Sequence, residues 1–274
     1  MSTLHLTKHH GLGNDFLVLL DPEGATEVTA DLARALCERR EGIGADGLLH
    51  VRKATDGADL ELTVWNADGS VAETSGNGLR CAGQAAVDAG LAGPDLFVRT
   101  GGEVRSLTAE PEIEPGLRRV SVTMGIPKVG EDEPELLARL LHVPDASRAV
   151  QVDTGNPHLV VLVRDVEQLD SHLMERMSRA VVGHPVNLEG ISPKGSTIAM
   201  RVWERGVGET RACGSGAVAV AAASKRWGLT GDQVEVAMPG GMAIVTLRPN
   251  GEAVLTGPAK FIGRIEVDPD RISP

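Results

Sequence analysis

A cysteine at position 213 stands directly before a Gly-Ser-Gly turn, inside the stretch ERGVGETRACGSG that runs from Glu204 to Gly216. A run of small helix formers, AVAVAAASKRW, follows it. A helix start presents unpaired backbone N–H groups and a partial positive charge, so it attracts carboxylates and favours a thiolate over a thiol. Cys213 is therefore expected to be ionisable and close to a bound anion. Glycine at the approach lets backbone come near a small ligand without Cβ clashes. Glu204, Arg205 and Glu209 lie just upstream and add groups that could pair with an ammonium or fork onto a carboxylate. The bland alternative is a buried free cysteine acting as a small hydrophobe at a helix start.

The elements around this stretch recur earlier in the chain. LTVWN (62–66) echoes AMRVWE (199–204), and the turn SGNG (75–78) echoes CGSG (213–216). A separation of 138 positions holds between Trp65 and Trp203, between Ser75 and Cys213, and between the helix-closing Gly90 and Gly228. GNDFLVLL (13–20) likewise parallels GNPHLVVL (155–162). Repeated order at a fixed offset marks an internal duplication, here of two α/β halves of about 130 residues, an ordinary domain size. We expect one half over 1–124, with the C-terminal tail 264–274 packing on it, and the other over 125–263. Two like halves would aim two helix starts, at Ser75–Gly78 and Cys213–Gly216, at one cleft, with Ser75 and Cys213 on opposite faces of a bound molecule. That is a geometry for removing a proton from one face of a carbon and returning one to the other.

Locally, the sequence predicts strands at Leu4–Thr7 and Leu17–Leu20 joined by a Gly11–Asp15 loop, and a helix N-capped by Thr29 reaching about Arg39. Cys37 is read as core, and ERR at 38–40 as a solvated helix end. Further strands are expected near Leu60–Trp65, Leu96–Arg99, Val104–Thr108 and Arg119–Thr123, with a helix over Gly78–Ala89.

Composition narrows the function classes. The net charge is −11 over 274 residues, with 42% hydrophobic and 24% charged, an ordinary globular balance that argues against a nucleic-acid partner. With three Trp, three Phe and no Tyr, the core must be built from aliphatic residues. Three cysteines at irregular spacing suggest neither a disulfide framework nor a zinc site. The N-terminal MSTLHLTKHH lacks the layout of a signal peptide, and no apolar run is long enough to span a bilayer. A cytoplasmic protein acting on a small molecule is the expectation.

Taken together, GLGNDF, GIGADG, NADGSVAE, SGNGLRC, GNPH and ERGVGETRACGSG, in this order and across nearly the whole chain, closely resemble diaminopimelate epimerase. The resemblance implies an α+β fold of two pseudo-symmetric domains, each a curved mixed sheet around a central helix, with the active site in the cleft between them. It implies an isomerase of lysine and cell-wall precursor synthesis that needs neither pyridoxal phosphate nor a metal and uses one thiolate and one thiol; a homodimer is the family-like state. By position, Cys213 matches one catalytic cysteine. Gly76, Asn77, Gly214 and Ser215 match groups holding the reacting carboxylate, and Asn14 matches a contact near the reacting centre. Asn66, Asn156, Asn187, Glu204 and Arg205 match the set reading the distal end. His158 and Glu209 are carried as further candidates, His158 also reading as a strand-start histidine bonded to backbone.

Two positions depart from the family pattern. Where the family has its other cysteine, this chain has Ser75, a far poorer base; Cys81 lies inside the helix and cannot stand in. At Gly47, some members carry a glutamine. Serine in place of one cysteine keeps two alternatives open: a relative of the proline racemases and hydroxyproline dehydratases, with one-sided deprotonation, or an amino-acid-binding protein with a decayed site.

Overall fold

The computed structural model describes residues 3–132, 136, 146–179 and 186–272. The chain divides into two compact units, Met1–Val122 with Gly257–Pro274, and Thr123–Thr256. Residues 273 and 274 of the tail lie outside the described ones.

In the first unit, β1 (Leu4–Gly11), β2 (Asn14–Leu20), β3 (Gly47–Lys53) and β4 (Leu60–Asn66) precede β5 (Val71–Ala72), β6 (Asp95–Thr100), β7 (Glu103–Ala109) and β8 (Leu117–Gly125). β1 pairs antiparallel with β2, β2 parallel with β3, and β3 antiparallel with β4. β4 then pairs antiparallel with β5 and parallel with β6, and antiparallel pairing continues through β7 to β8. The loop expected at Gly11–Asp15 is a tight hairpin instead. Only Leu12 and Gly13 turn, both at positive φ (57° and 82°), which matches the twist of the flanking strands. The strands run further into the motif than its glycines suggest because the first of them lies within the ladder: Gly11 pairs with Asn14.

The second unit repeats these pairings. Its strands are β9 (Lys128–Asp132), β10 (Arg148–Asp153), β11 (Pro157–Leu162), β12 (Asn187–Lys194), β13 (Thr197–Glu204), β14 (Gly208–Thr210), β15 (Gln233–Met238), β16 (Gly241–Leu247) and β17 (Ala253–Val267). β11 lies parallel to β12, β12 antiparallel to β13, β13 antiparallel to β14 and parallel to β15, and β15 antiparallel to β16. The early part of β17 closes this unit on β16, and its later residues pair with β1 in the first.

Each unit has one helix enclosed by its strands: α2 (Gly76–Asp88) in the first, α4 (Gly214–Arg226) in the second. Every residue of α2 from Gly76 to Ala86 is buried, as is nearly all of α4 from Gly214 to Ser224. A helix apolar or small on all sides has no solvent face to offer and is stable only when covered all round; the AVAVAAAS run of α4 meets that condition. Two amphipathic helices lie outside. α1 (Ala30–Cys37) is capped by Thr29, whose Oγ1 accepts from the Leu32 N–H at 3.2 Å, and packs Leu36 among Leu6, Leu17, Leu19 and Leu48. It ends at Cys37, short of the expected Arg39. α3 (Ser171–Ser178) is capped by Asp170 and sets Met174 and Met177 against Leu159, Val161 and Leu188. Among the described residues no helix is long and apolar enough to cross a membrane.

Candidate active site

Ser75 and Cys213 occupy the same structural position in their respective units. Each is the N-cap of its buried helix, with extended backbone (φ −144°, ψ 113° at Ser75; φ −127°, ψ 119° at Cys213). Each side chain accepts from the N–H three residues on: Ser75 Oγ from Gly78 at 3.0 Å, Cys213 Sγ from Gly216 at 3.4 Å. Ser215 Oγ lies 3.4 Å from Cys213 Sγ. Both glycines are needed for this close approach. A Cβ at Gly78 would sit 3.1 Å from Leu49 Cδ2, and one at Gly216 would sit 2.6 Å from Glu189 Oε1.

The first helix start is furnished by a relay of amides. Asn77 Nδ2 donates to Asn14 Oδ1 at 3.1 Å, and Asn14 Nδ2 donates to Asp46 Oδ2 at 2.8 Å. Asp46 in turn accepts from Arg39 at 2.7 Å, and Arg39 also donates to Asp15 at 2.7 Å. Lys8 pairs with Asp15 at 2.5 Å. Against the upward push of burial, the hydrogen bonds from Arg39 and Lys8 hold Asp15 at about 2. Arg39 is exposed just past the end of α1, as expected of a solvated helix end, and also turns back to Asp15 and Asp46, for which the sequence carries no local signal. Asn66 is engaged in its own turn, donating to Ser70 Oγ at 2.9 Å. Cys37 and Cys81 are buried, and burial pushes both thiols up to about 12, so they are inert core residues. At Gly47 an added Cβ would lie 2.6 Å from Trp65 O and 3.3 Å from the Phe16 ring, which leaves no room for a glutamine side chain as the backbone stands.

The second helix start is acidic. Glu189 on β12 is completely buried, 2.7 Å from His158 Nδ1, while His158 Nε2 lies 3.0 Å from Asn156 Oδ1. Thr154 Oγ1 donates to the same Asn156 oxygen at 2.9 Å. Glu189 Oε2 has no hydrogen-bond partner among the described residues. Glu204 accepts from Thr210 Oγ1, and burial followed by repulsion from Glu189 raises its pKa above the usual carboxylate range. Asn187 Oδ1 accepts from the Arg205 backbone N–H at 2.8 Å and so sets the end of β13. Glu209 is taken up by Arg201, whose Nε donates to it at 2.7 Å, and by Ser171; it serves that surface network.

The expectation that Cys213 is readily ionised is reversed. Burial first, then the carboxylates of Glu204 and Glu189, push its pKa well above that of a free cysteine, outweighing the hydrogen bonds from Ser215 and Gly216. These surroundings favour the thiol over the thiolate. Helix-start arguments consider only the local backbone, whereas the deciding charges come from strands distant in sequence. Because alkylation needs the thiolate, Cys213 should react with iodoacetamide only at unusually high pH. Removing one like charge by Glu204→Gln should lower that threshold and speed alkylation about tenfold for each pKa unit recovered. Mass-spectrometric timing of Cys213 labelling from pH 7 to 10 checks this; an unchanged profile would show that Glu204 does not set the thiol's charge.

Two like units, each a mixed sheet around one buried helix that starts just after Ser75 or Cys213, make a fold that recurs in solved structures. A hydroxyproline epimerase from Agrobacterium vitis, solved with bound trans-4-hydroxy-L-proline, superposes with a TM-score of 0.68 at 18% identity, covering 97% of this chain and 91% of that one. A phenazine biosynthesis protein of Bacillus anthracis gives 0.70 at 16%, covering 98% and 100%. At these identities the likeness is one of fold. The family itself is shown by sequence: the diaminopimelate epimerase model matches residues 6–129 and 150–262, and the chain belongs to that family of isomerases. The diaminopimelate epimerase of Streptomyces coelicolor is 38% identical over 292 residues, spanning 98% of this chain and 97% of its own.

Proposed function

We propose that the chain interconverts LL- and meso-diaminopimelate without a cofactor, by proton transfer at the α-carbon. The observation carrying this reading is the matched pair of N-caps, Ser75 and Cys213. The two helix starts share one amino-acid headgroup in this reading, a relation argued from the duplicated sequence and the family. Backbone N–H groups of Gly76, Asn77, Gly214 and Ser215 hold the carboxylate and stabilise it as it becomes enediolate-like when the α-proton leaves. Asn14 steadies the Asn77 side of that cradle. At the distal end, Arg205 takes the second carboxylate and Glu204, with Asn66, Asn156 and Asn187, takes the ammonium.

The acidic surroundings of Cys213 have a purpose in this scheme. A substrate ammonium entering beside Glu204 and Glu189 offsets their charge and brings the thiol pKa down when the reaction needs it. Cys213 then takes or returns the proton on its face. Ser75 must act on the other, and a hydroxyl gives up its proton far less readily than a thiol. Turnover is therefore low and unequal between the isomers. The domain boundaries near 124 and 263, a cytoplasmic homodimer and a place in lysine synthesis belong to the same reading.

Deuterium wash-in from heavy water tests it. Incorporation at the α-carbon with appearance of the other diaminopimelate isomer supports the epimerase. One reading stands second because of Ser75 itself: one-sided deprotonation, as in a hydroxyproline dehydratase or proline racemase relative, would show as water loss from, or exchange in, a prolyl substrate. Binding without exchange would leave only an amino-acid-binding protein.

A further inference from the structure

Among their many differences, the duplicated helices differ in charge at one buried position. By the spacing that equates Ser75 with Cys213, Arg80 in α2 corresponds to Val218 in α4, and both are fully buried. Valine there is ordinary packing. Arginine is not, because a buried cation costs folding free energy unless an anion answers it.

No acidic side chain pairs with Arg80 among the described residues. Its Nη2 donates to Asn77 Oδ1 at 2.7 Å and its Nε to the Pro258 carbonyl at 3.4 Å, while Nη1 is buried with no partner among the described residues. Burial pulls its pKa down to about 10. Two glycines clear space for the guanidinium: a Cβ at Gly11 would lie 3.1 Å from Nη2, and one at Gly257 would lie 3.1 Å from Cζ and 3.2 Å from Nε. Two strands are thus left bare to admit a charge that the fold does not neutralise.

Arginine can only donate, so it dictates which end of the Asn77 amide is oxygen. Asn77 Nδ2 must then face Asn14 Oδ1, and Asn14 Nδ2 must face Asp46. One side chain in the second turn of α2 therefore sets the orientation of both asparagines at the helix start.

Resting on the function given above, we propose that Arg80 is a positioning residue for the substrate carboxylate. It locks the Asn77–Asn14 relay and supplies, from inside the fold, the positive charge that a carboxylate bound at the start of α2 answers. The matching end of α4 has the opposite character, with Glu189 where the first unit has Leu49 against the first-turn glycine. The start of α2 thus has a buried cation behind it, and that of α4 a buried carboxylate beside it.

The test compares Arg80→Met, Arg80→Lys and Gly257→Ala with the parent, reading the melting temperature of the ligand-free protein and the dissociation constant for meso-diaminopimelate by calorimetry. Arg80→Met should melt no lower than the parent, since it removes an unanswered buried charge, yet bind at least about tenfold more weakly. Arg80→Lys, which keeps the charge and loses the fork, should recover part of that affinity. Gly257→Ala keeps the arginine and displaces its guanidinium from Asn77, so it too should weaken binding. Unchanged affinity in Arg80→Met overturns the proposal. So does a variant that melts far lower or fails to fold, which would make the arginine a structural cation. A parent that does not bind diaminopimelate defeats the functional reading instead, and the melting comparison still decides the role of Arg80.

Discussion

Replacing Ser75 by cysteine is expected to raise the rate of diaminopimelate epimerisation by about 10²–10⁴-fold, the usual worth of a well-placed general acid or base. The change is conservative in structure. Ser75 is half-buried, its backbone is already in the conformation Cys213 adopts, and a Sγ can accept from the Gly78 N–H as Cys213 Sγ does from Gly216. Losing the better serine cap costs about 1 kcal/mol at most. The electrostatics favour the change as well. A thiol at 75 would sit over a helix whose second turn buries an arginine with no acidic partner, an environment that lowers a cysteine pKa. The thiol at 213 sits beside two carboxylates that raise it. The variant would therefore rest as a thiolate at 75 and a thiol at 213, one ready to take a proton and the other ready to give one. Steady-state rates in both directions, measured by chiral chromatography, check this. A variant no faster than the parent would mean that position 75 does not face the α-carbon.

Much of this site is legible in the chain because its turns are governed by local rules. Thr29 caps α1 for the reason any Thr before an apolar-periodic segment does, and the Gly-rich turns at 75–78 and 213–216 announce helix starts that need backbone access. The duplication is readable because it repeats order as well as residues, and the matched strand pairings of the two units follow from it. What the chain conceals is tertiary charge. Glu189 lies in VNLEGIS, which carries no local mark of a buried carboxylate; the pairing of β11 with β12 brings it under Gly216 and against His158. Nothing local marks Arg80 as buried; it is the covering of α2 on all sides that encloses it. The ionisation of Cys213 fails as a sequence inference for the same reason. The helix start acts in the direction expected, and burial with two distant carboxylates outweighs it.

Cys213→Ser should remove epimerisation to below about 10⁻³ of the Ser75→Cys rate while leaving substrate affinity within a few-fold, because the loss is of an acid–base group and not of a binding contact. Serine is a good N-cap, and its Oγ can keep the bond from the Gly216 N–H, so folding and the backbone cradle survive. The isotope pattern then becomes the sharper reading. With one cysteine at 213, the parent can exchange the α-proton only from that face, and deuterium enters predominantly the isomer whose proton points toward Cys213. In the double variant Ser75→Cys with Cys213→Ser the competent group is on the other side, and the labelled isomer should reverse. The reversal depends on the two N-caps addressing opposite faces of one stereocentre, whereas loss of activity alone would follow from many kinds of damage. If both proteins, each with a cysteine at only one of the two helix caps, label the same isomer, the two caps do not flank a common carbon, and the epimerase mechanism assigned to Ser75 and Cys213 fails with them.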